Sequence, residues 1–194
     1  MSLQSRFEHT GNVSDLTEAI SIQQRAVQLT PDGHPGMPMR LHNLGMSFQT
    51  RFERTGDVSD LMEAISIQQR AIQLSPDGHR DIPAMLNNLG ITFQSRFGRT
   101  DDVADLSEAI SIQQRAVQLT PDGYPDMPMR LHNLGMPFQS RFGRTGNISD
   151  ILEAISIQQR AIRLTPNGHF DMLTMLNNLG MSFQSRFECT RRCR

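Results

Sequence analysis

Between Asn12 and Leu29 the apolar residues recur at helical spacing. At about 100° per residue, Leu16, Ala19, Ile20, Ile22, Ala26, Val27 and Leu29 project onto one arc of about 180°. Glu18, Ser21, Gln24, Arg25 and Gln28 take the opposite face. Asn12 precedes this pattern and Asp15 follows three residues later, as Asp57/Asp60, Asp102/Asp105 and Asn147/Asp150 do further on. That order resembles a capping box: the first side chain caps a backbone N–H, and the acid favours the positive end of the helix dipole. Pro31, Pro76, Pro121 and Pro166 stop each such helix.

A second helix is predicted from about Pro38 to Phe52, its apolar stripe made of Met37, Leu41, Leu44, Gly45, Phe48 and Phe52. Pro38, Pro83 and Pro128 suit a first turn, where the missing N–H has no intrahelical acceptor to lose. Thr-Gly at 10–11, 55–56 and 145–146 suits a left-handed C-cap, and Asp101 breaks that rule, so its turn should be the most strained. Pro137 stands inside the third second-helix, where Ser47, Thr92 and Ser182 occupy the other copies. A bend or a lost bond to Asn133 is expected there.

These patterns repeat every 45 residues. EAISIQQRA recurs unchanged at 18–26, 63–71, 108–116 and 153–161, and Asn-Leu-Gly recurs at 43–45, 88–90, 133–135 and 178–180. Two antiparallel helices per unit, neither able to bury its stripe alone, imply an all-α helix-turn-helix repeat solenoid of four units. The expected division is one array over 1–194: a partial helix at 1–10, repeats at about 11–55, 56–100, 101–145 and 146–190, and a tail at 191–194.

At Leu41-x2-Leu44-Gly45-x2-Phe48, followed by Ala64, Ala71 and Pro76, the unit resembles a tetratricopeptide repeat. The 45-residue length, with RFERTGD, EAI and LTPDGH, resembles arrays of fungal proteins described as aromatic di-alanine and tetratricopeptide-containing. The resemblance implies a protein-binding scaffold within a larger sensor or regulatory protein. It also implies that the outward face of the second helices lines a concave, peptide-holding groove. By position that face comprises Met39, His42, Met46 and Gln49; Asn87, Ile91 and Gln94; Met129, His132, Met136 and Gln139; and Asn177, Met181 and Gln184. Adaptable Met beside amide and imidazole groups suits a semi-apolar peptide. Asn43, Asn88, Asn133 and Asn178 match the amide of chaperone-tail-binding relatives, but the clamp lysines have no counterpart, which argues against acidic chaperone C-termini.

Gln23, Gln68, Gln113 and Gln158 fall in the middle of the first helix's apolar arc, where the family often has an aromatic. Buried amides need partners, and a glutamine ladder joined by the asparagines is expected. Arg6, Arg51, Arg96 and Arg141 end one helix while Asp15, Asp60, Asp105 and Asp150 begin the next, which suggests structural ion pairs.

Composition narrows the function without adding chemistry. The formal net charge is −1, every basic side chain is Arg, and no basic run suggests a phosphate surface, so an RNA-binding helical array is the weaker reading. No Gly-rich phosphate loop, H-E-x-x-H or G-x-S-x-G occurs, and an enzyme, cofactor or metal is not expected. The histidines at 34, 79 and 169 sit in Pro-Asp/Asn-Gly turns, with Tyr124 in the third, and read as turn-packing rings. Cys189 and Cys193 read as incidental thiols. With no secretory signal and no apolar span, the expected setting is cytoplasmic, away from membranes. Apolar stripes without a polar capping unit make end-to-end self-association the alternative to peptide binding.

Overall fold

A computed structural model describes residues 13–121, 123–166 and 168–192. The expected half-helix at 1–10, the cap at Asn12 and the thiol of Cys193 lie outside these residues. The described residues are helices and turns without a strand. The helices are α1 (Val13–Gln28), α2 (Met37–Thr55), α3 (Val58–Leu74), α4 (Ile82–Thr100), α5 (Val103–Gln118), α6 (Met127–Thr145), α7 (Ile148–Leu164) and α8 (Met172–Arg192). They fall into two compact units, one ending at Arg99 and one beginning at Thr100.

In the first unit α2 packs between α1 and α3. Leu16 and Ile20 of α1 meet Leu44 and Phe48 of α2 and Ala64 of α3 in one cluster, while Met37 and Leu41 close on Ala71 in another. In the second unit α5, α6 and α7 pack in sequence and α8 packs on α7. Its core joins Leu131, Leu134 and Phe138 of α6 to Ala154, Ile157 and Ala161 of α7. The predicted second-helix stripe is therefore the core: Met37, Leu41, Leu44, Gly45, Phe48 and Phe52 are all buried. Small residues set the helix separation. A Cβ on Gly45 would lie 2.7 Å from Gln68 Cγ, and one on Gly135 would lie 3.0 Å from Gln158 Cγ. The first-helix arc is narrower than expected. Leu29, Leu74, Leu119 and Leu164 all stand at least 48% exposed, because each lies at or just past the end of its helix, beyond the last turn that faces a neighbour.

The helix starts are built differently from a capping box. Asp57, Asp102 and Asn147 cap as predicted, accepting from the amides of Ser59, Ala104 and Ser149 at 3.0, 3.0 and 3.1 Å. The reciprocal bond comes from the preceding threonine: the amides of Asp57, Asp102 and Asn147 donate to Thr55, Thr100 and Thr145 Oγ1. The acid three residues on is thus available to another partner. Asp60 and Asp150 turn away and take bidentate pairs from Arg51 and Arg141, with bonds of 2.5–2.9 Å. The carboxylates are 3% and 5% exposed, so these expected ion pairs are far more buried than a surface pair. Hydrogen bonding to the acid raises the guanidinium pKa of both Arg51 and Arg141. Each arginine also lies over the phenylalanine three residues before it, 5.2 Å from Phe48 and 5.6 Å from Phe138.

Gly56 and Gly146 end α2 and α6 at φ of 73° and 68°, and each amide bonds the carbonyl four residues back. Asp101, in the same place after α4, is the one non-glycine with positive φ among the described residues, at 60°. It is held by an ion pair to Arg144 at 2.5 Å. A short polar side chain tolerates this conformation better than most. The turn histidines are structural: ring Nδ1 atoms of His34, His79 and His169 accept from the amides of Gly36, Asp81 and Asp171 at 2.9–3.3 Å. Tyr124 cannot do this and instead lies under the Arg130 guanidinium, 5.2 Å away.

Candidate functional site

The outward faces of α2 and α4 in the first unit, and of α6 and α8 in the second, carry the residues singled out by position. They begin as a matter of helix geometry. Residues of a second helix that do not enter its stripe stand on its other side, and burial then depends on what the neighbouring second helix brings up.

In the first unit His42, Met46, Asn87, Ile91 and Gln94 are half-buried, and Met39 is exposed. His42 Nε2 lies 3.5 Å from Asn88 Nδ2, so the asparagine expected to accompany the glutamines contacts the histidine instead. His42 Nδ1 has no protein partner. Burial holds the imidazole pKa below its ordinary value, opposed by the charge of Asp81, so the ring is neutral at physiological pH. Gln49 departs from its neighbours. It is 6% exposed, and its Oε1 lies 3.1 Å from Thr92 Oγ1, which places it in the packing rather than on an open face.

Behind Gln49 the expected glutamine ladder takes another form. Gln68, Gln113 and Gln158 are at most 1% exposed and Gln23 is half-buried, but no bond joins one of these four to another among the described residues. Gln68 is bonded through Oε1 to Thr92 Oγ1 at 3.0 Å and through Nε2 to Met46 Sδ at 3.8 Å. The Thr92 hydroxyl thus faces three acceptors: Gln49 Oε1, Gln68 Oε1 and the Asn88 carbonyl at 3.0 Å. One hydroxyl proton serves one acceptor at a time. Turning the Gln49 carboxamide end for end, so that its NH2 donates to the hydroxyl oxygen, leaves the one proton to be shared by Gln68 Oε1 and the Asn88 carbonyl. Sequence reasoning missed Thr92, although Ser47, Thr92 and Ser182 at one repeat position were a readable signal for it.

The second unit shows the same parts less completely joined. Met129, His132, Met136 and Gln139 are half-buried, while Asn177, Met181 and Gln184 on α8 are exposed. His132 repeats His42: its pKa is lowered by burial against the opposing charge of Asp171, and its Nδ1 has no protein partner. Gln158 Nε2 donates to Gln139 Oε1 at 3.5 Å, and Asn178 Nδ2 lies 3.4 Å from Met136 Sδ. On α8, Asn177 contacts Met181 and Gln184 donates to Glu188 at 3.1 Å. Gln113 stands 24 residues before Pro137, as Gln68 stands before Thr92. Neither amide atom of Gln113 has a protein partner. Pro137 stands at the repeat position of Thr92 and carries no hydroxyl, and α6 runs through it as one helix without the bond from that position to the Asn133 carbonyl. A hydroxyl there is not by itself enough, since Gln158 Oε1 and Ser182 Oγ at the corresponding positions have no protein partner either.

Met39 also lines a cavity of about 660 Å³ between the two Pro-Asp-Gly-His turns of the first unit, with Met37, Met85, Arg70, His34 and His79. The counterpart in the second unit, beside Met129, His169 and Phe170, holds about 260 Å³. Among the described residues no group of three or more His, Cys, Asp or Glu is placed to hold a metal, and no helix is long and apolar enough to cross a membrane. Cys189 is a free thiol packed against Phe142, Ile151 and Ile155.

No protein-family model and no curated protein matches the chain in sequence. Solved structures do match its fold. A kinesin light chain-like protein of Podospora anserina with nearly identical TPR-like repeats superposes with a TM-score of 0.68 at 15% identity, over 96% of this chain and 86% of that one. A single-substitution variant of that protein gives 0.69 at 14% identity with the same coverage. The chain therefore has the all-helical TPR-like repeat fold.

Proposed function

We propose that the chain is an interaction module that takes an extended, semi-apolar peptide of a partner protein along the outward faces of its second helices. The observation that supports this most is the state of those faces. His42, Met46, Asn87, Ile91 and Gln94 remain half-exposed although the cores beneath them are closed, and Met129, His132, Met136 and Gln139 repeat the arrangement. Thioethers supply adaptable apolar contact, and amides and neutral imidazoles supply both hydrogen-bond donors and acceptors to a peptide backbone. Gln49 contributes by holding Thr92 in place rather than by touching the ligand. The cavity beside Met39 offers room for one large side chain. With a formal net charge of −1 the module suits a partner with little net charge and has no claim on nucleic acid. We read its setting as cytoplasmic and its role as one part of a larger regulatory protein.

The test is selection from a random displayed-peptide library with the 194-residue chain, followed by fluorescence anisotropy of the recovered peptides. His42→Ala, Gln94→Ala and Gln139→Ala should each weaken binding about tenfold, about 1.4 kcal/mol. Recovered peptides that bind all three variants as tightly as the parent would overturn the reading. Binding of RNA that falls steeply with salt would replace it with the nucleic-acid alternative.

A further inference from the structure

The cavity of about 660 Å³ in the first unit has a floor, a rim and two imidazole walls, all from residues of that unit. Met37 and Met85, 5% and 2% exposed, form the floor, and Met39 stands at the rim. His34 and His79 line it from the two turns. Its charged residues are of both signs, Asp32 and Asp81 against Arg70, so charge alone selects no guest. Thioethers and imidazole faces instead favour a flat, polarisable group, because sulfur packs well against ring edges and rings stack on rings.

The second unit shows such a group in place, supplied by the chain itself. Phe170 lines the corresponding cavity of about 260 Å³ and stacks on His169, with ring centroids 4.6 Å apart and planes at 26°. Met175 lines that cavity as Met85 lines the first. In the first unit Arg80 holds the Phe170 position, but its side chain is 91% exposed and takes no part in the cavity wall. The two histidines are otherwise fixed alike: Nδ1 of His79 and Nδ1 of His169 each accept the amide two residues on at 3.3 Å. The His79 side chain is 43% exposed, and among the described residues no ring stacks on it.

We infer that the first-unit cavity is the anchor pocket of the peptide site, taking one aromatic side chain that stacks on His79 as Phe170 stacks on His169. Met37, Met39 and Met85 then meet the edge of that ring. Met39 belongs both to the cavity and to the outward face of α2, so a peptide lying on that face passes over the mouth of the pocket. Phe170 already fills the corresponding place in the second unit, so the peptide brings one aromatic anchor and not two. The inference rests on the peptide-binding reading and adds the kind of residue that is recognised.

The test is nuclear magnetic resonance of the 194-residue chain with isotope-labelled methionine methyls. The probe is N-acetyl-tryptophan amide, and N-acetyl-leucine amide is the control. Ring-current shifts should appear at the methyls of Met37, Met39 and Met85 with the tryptophan probe and not with the leucine one. Arg80→Phe should place the chain's own ring over His79 and weaken the probe about tenfold, and His79→Ala should weaken it about two- to tenfold. Phe170→Arg should do the converse, bringing probe-dependent shifts to Met129 and Met175. Arg80 and Phe170 are both at least 80% exposed, so each exchange should keep parental helicity by circular dichroism. A tryptophan probe that shifts none of the three first-unit methyls, or a leucine probe that shifts them equally, would overturn the inference. So would an Arg80→Phe variant that binds as the parent does, or a Phe170→Arg variant without new shifts. Peptide selection separates the inference from the reading beneath it. Recovered peptides that share no aromatic residue would end the anchor and leave the binding face. A probe that binds as described, with no peptide recovered, would end the binding face and leave the pocket.

Discussion

The helix pairs α3–α4 and α5–α6 place a glutamine at the same repeat position and give it opposite circumstances. Gln68 meets the Thr92 hydroxyl and the Met46 thioether. Gln113 is as deeply buried, but Pro137 stands where that hydroxyl would be, and neither amide atom is bonded to protein. The backbone plan of the two pairs is the same, so the difference is one of partners. A buried amide contributes stability where a hydroxyl answers it and costs its desolvation where none does. Thr92 is the partner that distinguishes Gln68, whereas Gln158 Oε1 has none although Ser182 stands at the corresponding position.

The comparison needs a control in which the units should not differ, and this is also the largest effect. Arg51→Leu strands the buried Asp60 carboxylate and Arg141→Leu strands Asp150, so each should cost about 3–5 kcal/mol in urea denaturation. A large inequality between them would show that the units differ in more than the glutamine centre. Next, Thr92→Pro should cost about 3 kcal/mol or more, through the lost helix bond and the lost hydroxyl together. Pro137→Thr should return about 3 kcal/mol. If Pro137→Thr leaves the denaturation midpoint unmoved, proline is not what isolates Gln113. Gln68→Leu should cost about 1–3 kcal/mol, while Gln113→Leu should be neutral or stabilising. Equal losses at the two positions would end the comparison.

The smallest effect is in pH and is common to both units. Burial lowers the pKa of His42 and His132 below 6.5 in the folded chain, whereas the unfolded chain keeps the ordinary value. The unfolded state therefore binds more protons in the window just below 6.5. Stability is complete above that value and declines as pH falls through it toward the folded-state pKa. Asp81 and Asp171 oppose the decline. His42→Gln and His132→Gln should each flatten the midpoint-against-pH curve, and a curve unchanged in both would remove the histidines from the account.

Much of this was legible because repetition multiplies weak signals. One Thr-Gly pair is a suggestion, but recurring pairs with an aspartate standing in once foretold the positive φ of Asp101. The core stripe of α2 was readable for the same reason. What escaped depended on which side chain a neighbouring helix supplies. Gln49 and Gln94 are the same residue at the same repeat position, yet only Gln49 is drawn inward, by Thr92. The acids after the caps looked like capping-box partners until Thr55 and Thr145 took that bond and left them to arginine. Leu74 and Leu164 satisfied the apolar arc on paper, but a helical wheel carries no information about where the neighbouring helix ends.

Four identical nine-residue segments also bear on how the chain reaches its native state. EAISIQQRA can dock on the wrong second helix at almost no enthalpic disadvantage, so refolding is exposed to out-of-register and swapped-helix traps of the kind that slow repeat proteins. The differences between copies act as addresses. Thr92 rewards the correct arrival of Gln68, and Pro137 offers nothing to any glutamine that lands on it. Erasing that distinction with Pro137→Thr would make the native state more stable and its competitors harder to tell from it.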